Sequence, residues 1–133
     1  MQLQGGIIVG VGIDLIEVDR LDRALARHGT RLEKRIFTRR ELEDCRARAD
    51  RVQALAARFA AKEACLKALG TGWSAGLSFR QVELTRPTGA APRVQLHGAA
   101  AERAARLGVT VVHVSLTHQP RTAAAVVVLE GGG

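Results

Sequence analysis

One predicted helix near the middle of the chain constrains the fold most, because charged side chains lie on its apolar face. The residues from Arg58 to Gly72 read RFAAKEACLKALGTG. At about 100° per residue, the large apolar side chains fall within one narrow arc: Leu55, Phe59, Leu66 and Leu69. Lys62 falls inside that arc, and Glu63 lies on its flank, one turn from Lys67. Burying such ions is costly unless something compensates for the lost hydration. A carboxylate between two ammonium groups suits a metal ion together with a phosphorylated ligand.

The excess positive charge is concentrated in one segment of the chain. The 133 residues carry a formal net charge of +7, and thirteen Lys or Arg accompany six Asp or Glu from Arg20 to Lys62. The remainder of the chain holds seven residues of each sign. A concentrated basic surface attracts an acidic partner, either a nucleic acid or an acidic protein. The segment lacks an aromatic stacking platform and a Gly-rich RNA motif, which disfavours a nucleic-acid reader.

Length and composition predict one globular domain over residues 1–133, with residues 1–6 and 131–133 flexible. No apolar run approaches the roughly 20 residues that a membrane-spanning helix needs. The N-terminus lacks the basic region of a signal peptide, so a cytoplasmic protein is expected. Cys45 and Cys65 lack metal-type spacing and are expected to be reduced thiols.

Apolar periodicity and turn signals predict an order of one strand, three helices, a hairpin, a helix and a second hairpin. Strands are predicted over 7–15, 77–85, 93–96, 110–118 and 122–129, and helices over 18–28, from Thr38, over 52–70 and over 99–107. Thr38 to Glu41 match a capping box, Gly29 is expected to end the first helix, and Pro87-Thr88-Gly89 is expected to be a turn. This order predicts an α+β fold with a mostly antiparallel sheet packed against helices.

The first strand, predicted to be buried, has two different faces. Ile7, Val9, Val11, Ile13 and Leu15 alternate with a row that contains Gly10, Gly12 and Asp14. Glycines weaken a strand, so we expect a backbone or a ligand to approach closely on their face.

Three polar clusters are candidates for chemistry. They are Asp14 at the exit of the first strand, Glu63 with its lysines, and the segment HVSLTH from His113 to His118. In that segment His113 and Ser115 share a face with Thr117, opposite an apolar face. Taken singly, each cluster has an ordinary explanation, such as a turn residue, a surface ion pair or a hydrogen-bonded core histidine.

Together, the clusters favour a magnesium site. Two carboxylates from separate elements, completed by waters and phosphate oxygens, are the usual environment of Mg²⁺, and here they would be Asp14 and Glu63. Zinc is disfavoured by the His and Cys spacing, and neither a Walker A sequence nor a dinucleotide fingerprint is present. Two alternatives stay open: a magnesium-dependent phosphohydrolase or nuclease that uses the same carboxylates, and a basic nucleic-acid-binding module.

Four motifs occur in order within residues 7–130. They are GID at 12–14 with Glu17 and Arg20, FTRRE at 37–41, RFAAKEA at 58–64 and HVSLTH at 113–118. In these motifs the chain resembles the holo-[acyl-carrier-protein] synthases, the short single-domain class of 4′-phosphopantetheinyl transferases. The resemblance implies transfer of the phosphopantetheine arm of coenzyme A to a serine of apo acyl carrier protein, releasing adenosine 3′,5′-bisphosphate, in fatty acid biosynthesis.

The resemblance also implies roles for single residues. Asp14 and Glu63 would hold Mg²⁺ against the pyrophosphate, while Lys62 and Lys67 would bind or neutralise phosphates. The expected catalytic residues are thus Asp14, Glu63 and Lys67. The identity of the general base is left open among Glu63, a metal-bound water and His113.

Further residues are assigned to coenzyme A and to the partner by the same resemblance. Gly70, Thr71 and Gly72, with His113 and Ser115, match the region that lines the coenzyme. The family is typically a homotrimer with sites between subunits, so these residues would serve a neighbouring subunit's site.

The acidic partner expected from the basic segment would be the carrier protein. Neither a nucleic acid nor a membrane is then expected as a partner. Arg20 matches a family position that contacts the carrier, and Arg23 and Arg27 lie on roughly the same face of the first helix. The preferred carrier and the tolerance of acyl-coenzyme A stay open.

Overall fold

The computed structural model describes residues 6–70, 76–86 and 90–132. The elements are strand β1 (Ile7–Glu17), helices α1 (Val18–Ile36), α2 (Arg39–Cys45) and α3 (Arg51–Leu69), a 3-10 turn (Phe79–Gln81), strands β2 (Val82–Thr85) and β3 (Arg93–Leu96), helix α4 (Gly98–Arg106), and strands β4 (Val109–His118) and β5 (Thr122–Gly131). β1, β5 and β4 form one antiparallel sheet in that order, and β2 pairs with β3 in a second. The predicted α+β class with antiparallel sheets is therefore confirmed.

Helix α3 lies across one face of the three-stranded sheet, and glycines of β1 permit the approach. A Cβ atom added at Gly12 would overlap the carbonyl oxygen of Ala64, and one added at Gly10 would overlap that of Ala68. The close approach expected on the glycine face is thus an approach of the α3 backbone.

The other face of β1 corrects an expectation, because its apolar residues are not buried within this chain. Val11, Ile13 and Leu15 are 59%, 67% and 68% exposed. The sheet register shifts between Ile8 and Gly10, so alternation is interrupted there and Ile7 and Ile8 are both exposed. The strand is buried only where α3 covers it.

Helix α3 is the centre of the core and is buried around most of its circumference. Small side chains let neighbouring elements approach it closely, because its fully buried positions include Ala56, Ala57, Ala60, Ala61 and Ala64. The large core side chains come mainly from other parts of the fold, such as Phe37, Leu84 and Leu129. Cys45 and Cys65 are buried free thiols, as expected.

Several predicted boundaries hold, and others are corrected. The Thr38–Glu41 capping box is present, and Gly70 ends α3 in the left-handed conformation with φ of 79°. Gly29 kinks α1 instead of ending it, with φ of 60° and ψ of −143°, and the helix continues to Ile36. The strand predicted from residue 77 begins only at Val82, because Phe79–Gln81 form the 3-10 turn.

The predicted turn at 87–89, like residues 1–5 and 133, lies outside the described residues. Among the residues that are described, no helix is long and apolar enough to cross a membrane.

Gly12→Ala should destabilise the fold, because the new methyl group must push β1 away from the backbone of α3. We expect the free energy of unfolding to fall by at least about 1–3 kcal/mol, the usual cost of overpacking, in urea denaturation. Gly132→Ala is the matched control, because a Cβ there has an ordinary contact at 3.8 Å with the Thr110 side chain. Equal stability of the two variants would contradict the packing argument.

Candidate active site

Three of the predicted site residues, Asp14, Glu63 and Lys67, lie close together where β1 packs against α3. β1 supplies Asp14 two residues after Gly12, and α3 supplies Glu63 and Lys67 one turn apart. The Nζ atom of Lys67 donates to Oδ1 of Asp14 at 2.8 Å and to the carbonyl oxygen of Ile13 at 3.2 Å. The close contact of Gly12 with α3 therefore places a strand carboxylate beside a helix carboxylate and an ammonium group.

The charges of this cluster act on one another. Partial burial raises the pKa of Glu63 above its ordinary value of 4.5, and the negative charge of Asp14 raises it further, while Lys67 opposes both effects. The hydrogen bond to Asp14 raises the pKa of Lys67. Oδ2 of Asp14 is buried and has no hydrogen-bond partner in the described part of the chain. The cluster thus contains a carboxylate oxygen without a donor and a second carboxylate whose ionised form is disfavoured.

These features fit a divalent cation with oxygen ligands. A cation between Asp14 and Glu63 would satisfy the free Oδ2 atom and offset the repulsion between the carboxylates. Residues 6–70, 76–86 and 90–132 contain no group of three or more His, Cys, Asp or Glu that could hold a metal. Two carboxylates suit Mg²⁺, which usually keeps several waters and takes further oxygens from a phosphorylated substrate.

Lys62 lies elsewhere, and its placement corrects the expectation that it binds a phosphate. Its ammonium group forms an ion pair at 2.7 Å with Glu41, and neither side chain is exposed. It also donates to the carbonyl oxygens of Phe79 at 3.1 Å and of Val82 at 2.6 Å. An ammonium group has three N–H donors, so none is left for a phosphate. Burial lowers the pKa of Lys62, and the neighbouring Glu41 carboxylate opposes that shift.

Of the residues predicted to line coenzyme A, His113 and Ser115 are not brought to this cluster within one chain. His113 and Ser115 pair with Val128 and Val126 on the sheet face that points away from α3. His113 Nε2 hydrogen-bonds with Glu130 Oε2 at 2.9 Å. Gly70 is exposed at the end of α3. Thr71 and Gly72 lie outside the described residues.

A cleft of about 850 Å³ opens beside Glu63. Phe59 and Phe79 contribute aromatic walls, and Arg20 and Arg35 contribute positive charge. The predicted carrier-contacting residues, Arg20, Arg23 and Arg27, line an adjacent hollow of about 250 Å³. Glu63 therefore borders a mainly apolar cleft that carries two arginines, and an arginine-lined hollow lies beside it.

Sequence patterns did not predict Glu41 as the partner of Lys62, or Phe79 and Arg35 as parts of the cleft. Glu41 carries a signal in the sequence, since it is the last residue of the capping box. A lysine on a buried helix face requires a carboxylate, but nothing local showed that Glu41, 21 positions earlier, would supply it. Phe79 and Arg35 carry no comparable signal, because only the folding of the chain brings them to Glu63.

The chain is similar to proteins of one known family. The model of the 4′-phosphopantetheinyl transferase superfamily matches residues 10–127. A holo-[acyl-carrier-protein] synthase of Maridesulfovibrio salexigens is 48% identical over 124 residues, which cover 93% of this chain and 99% of the relative. A synthase of the same description from Methylobacterium radiotolerans is 47% identical over 128 residues, covering 93% of this chain and 94% of the relative.

Solved structures show the same fold. The holo-[acyl-carrier-protein] synthase of Neisseria meningitidis superposes with a TM-score of 0.85 at 32% identity, covering 93% of this chain and 99% of that one. The Helicobacter pylori synthase, solved in complex with coenzyme A, gives a TM-score of 0.78 at 28% identity, with coverage of 90% and 99%. With its family match, its relatives and its fold in agreement, the chain belongs to the holo-[acyl-carrier-protein] synthase family of the 4′-phosphopantetheinyl transferase superfamily and is a transferase enzyme.

Proposed function

We propose that this enzyme transfers the 4′-phosphopantetheine arm of coenzyme A to a serine of apo acyl carrier protein with the help of Mg²⁺, releasing adenosine 3′,5′-bisphosphate. The observation that carries the proposal is the meeting of Asp14, Glu63 and Lys67 beside a cleft that adjoins an arginine-lined hollow. The coenzyme A complex of the Helicobacter pylori relative supports the choice of donor. We further propose a cytoplasmic location and, as the family resemblance implies, a role in fatty acid biosynthesis.

The cluster suits attack on a pyrophosphate. The serine oxygen must approach a phosphorus atom inside an anionic diester, so positive charge at that point lowers the barrier. Lys67 brings an ammonium group that a phosphate can reach, since its side chain is 55% exposed. Asp14 and Glu63 would hold Mg²⁺, which when bound supplies charge neutralisation on the pyrophosphate and the leaving bisphosphate. The adjacent cleft leaves room for the serine-bearing partner to reach this point.

The transfer can be tested on the carrier itself. Incubation of an apo acyl carrier protein with the enzyme, coenzyme A and Mg²⁺ should raise the carrier's mass by about 340 Da, the size of the transferred arm, and EDTA should abolish the change because the metal is required. Mass spectrometry of the intact carrier measures both results. An unmodified carrier under these conditions would contradict the proposed transfer, and a full shift in EDTA would contradict the metal requirement.

Metal binding can be tested without turnover. Mg²⁺ should raise the thermal unfolding midpoint of the wild-type protein, because a ligand that binds the folded state stabilises it. Glu63→Gln should abolish this increase, whereas Glu102→Gln, at an exposed position of α4, should leave it intact. An equal magnesium response in the Glu63→Gln protein would remove Glu63 from the proposed ligands.

The same measurement has a predicted pH dependence. The pKa of Glu63 is higher in the folded apo protein than in the unfolded chain. Protonated Glu63 therefore stabilises the fold below the unfolded-state pKa, and this stabilisation is lost as pH rises through the folded-state pKa. Mg²⁺ binds the ionised carboxylate, so the midpoint increase should disappear on acidification, starting above the ordinary glutamate value of 4.5. Differential scanning fluorimetry between about pH 4 and pH 8 follows the loss. Loss only below 4.5 would contradict the raised pKa.

The proposed docking surface for the acidic carrier is the hollow formed by Arg20, Arg23 and Arg27. Arg20→Glu should raise KM for the carrier roughly threefold to tenfold and leave the affinity for coenzyme A unchanged, because it reverses one charge of the surface proposed to dock the carrier. Arg106→Glu on α4 makes the same charge change on another element and should have little effect. Steady-state kinetics with each substrate varied in turn compare the variants. Unchanged carrier kinetics in Arg20→Glu would remove the assignment.

The proposed assembly is a homotrimer with sites between subunits. The exposed apolar row of Val11, Ile13 and Leu15 supports it, because a second copy of the chain would remove this surface from water. His113 and Ser115 lie on the same sheet face, where a neighbouring subunit's site would be within reach. Light scattering that gives the mass of a single 14.2 kDa chain would contradict this assembly.

A further inference from the structure

The buried pair of Lys62 and Glu41 joins segments that are distant in sequence. Glu41 Oε1 accepts from the backbone N–H of Thr38 at 2.8 Å and pairs with Lys62, while Oε2 accepts from the backbone N–H of Leu84 at 2.8 Å. Lys62 donates to the carbonyl oxygens of Phe79 and Val82. The pair therefore connects the start of α2, the middle of α3 and the segment from Phe79 to Leu84.

Stability alone does not call for ions in this place. Two charges lose their hydration when they are buried, and a well-packed apolar pair of similar volume is often as stable or more stable. An apolar pair could not bind the backbone groups of Phe79, Val82 and Leu84. Holding that segment in one position is what the ionic pair adds.

The segment that is held forms part of the cleft. Phe79 packs edge-on against Phe59, with ring centroids 5.0 Å apart, and both side chains line the cleft with Glu63. Phe59 lies one turn before Glu63 on α3, and Lys62 directly precedes Glu63. The bond from Lys62 to the Phe79 carbonyl thus ties the aromatic wall to the same turn of helix that carries the proposed metal ligand.

We propose that Lys62 and Glu41 are positioning residues, which hold the Phe79 wall of the cleft so that the carrier protein can place its serine beside Glu63. In this proposal, which rests on the proposed transfer, Lys62 contacts no phosphate of coenzyme A. If Lys62 bound a phosphate, its replacement would weaken the binding of coenzyme A. Because it holds the cleft wall instead, its replacement should raise KM for the carrier.

The test is the double variant Lys62→Met/Glu41→Gln, which removes both charges at nearly constant volume and retains an oxygen for Thr38. We expect faster amide exchange at Leu84, a rise in KM for the carrier of roughly tenfold, and an unchanged dissociation constant for coenzyme A. Hydrogen–deuterium exchange, steady-state kinetics and calorimetry measure the three results. The control is Arg39→Met/Glu43→Gln, which removes an exposed ion pair from α2 and should change none of them.

Phe79→Ala is a second, independent test, because it shortens the wall without touching the ion pair. It should reproduce the split between carrier KM and coenzyme affinity, and it can overturn the proposal even if the double variant does not fold. Weaker coenzyme binding with unchanged carrier KM in the double variant would overturn the proposal in favour of phosphate binding. Wild-type kinetics in the double variant, or in Phe79→Ala, would also overturn it.

Failure of this proposal can be told apart from failure of the proposed transfer. If the wild-type enzyme leaves the carrier unmodified, the transfer fails, and Leu84 exchange still shows whether the pair holds the segment. If the wild-type enzyme modifies the carrier and Leu84 exchange is the same in the double variant, only the positioning role fails.

Discussion

The site depends on the contact between the backbone of β1 and the backbone of α3. Only residues without a Cβ fit at Gly10 and Gly12, where the strand lies against the carbonyl groups of Ala68 and Ala64. Asp14 follows two residues later, so its carboxylate arrives at the turn of α3 that carries Glu63 and Lys67. A larger side chain at either glycine would widen this gap and separate the charges. The two glycines on the strand therefore serve the site as much as the core.

Three charged residues of one helix have different roles because they point in different directions. Lys62 and Glu63 are about 100° apart around the α3 axis, so one enters the core and the other reaches the cleft. Lys67 follows Glu63 by one turn and remains exposed beside Asp14. The same type of side chain thus neutralises a buried carboxylate at Lys62 and adds exposed positive charge to the proposed transfer site at Lys67. The Glu41 carboxylate is what makes the buried ammonium tolerable, since it meets the charge directly.

The two faces of the three-stranded sheet have different surroundings. The face toward α3 carries the glycines, Asp14 and the buried residues of β5, and it forms the core and one side of the site. The opposite face carries exposed apolar residues of β1 beside His113 and Ser115 of β4. Because the sheet itself separates these faces, His113 and Ser115 cannot meet Asp14 within one chain. The proposed assembly of several chains would make use of both faces.

The sequence by itself determined the features that arise from neighbouring residues. The capping box at Thr38, the helix that ends at Gly70, the antiparallel strands and the glycine face of β1 all follow from local patterns, and all are present. What only the tertiary structure decided concerns partners far apart in the chain. Glu41 neutralises the buried charge of Lys62, and the apolar row of β1 is exposed. Helix α1 is kinked at Gly29 and continues beyond it. Periodicity shows which side of an element is apolar, but the charge or backbone that meets that side is set by packing between distant segments.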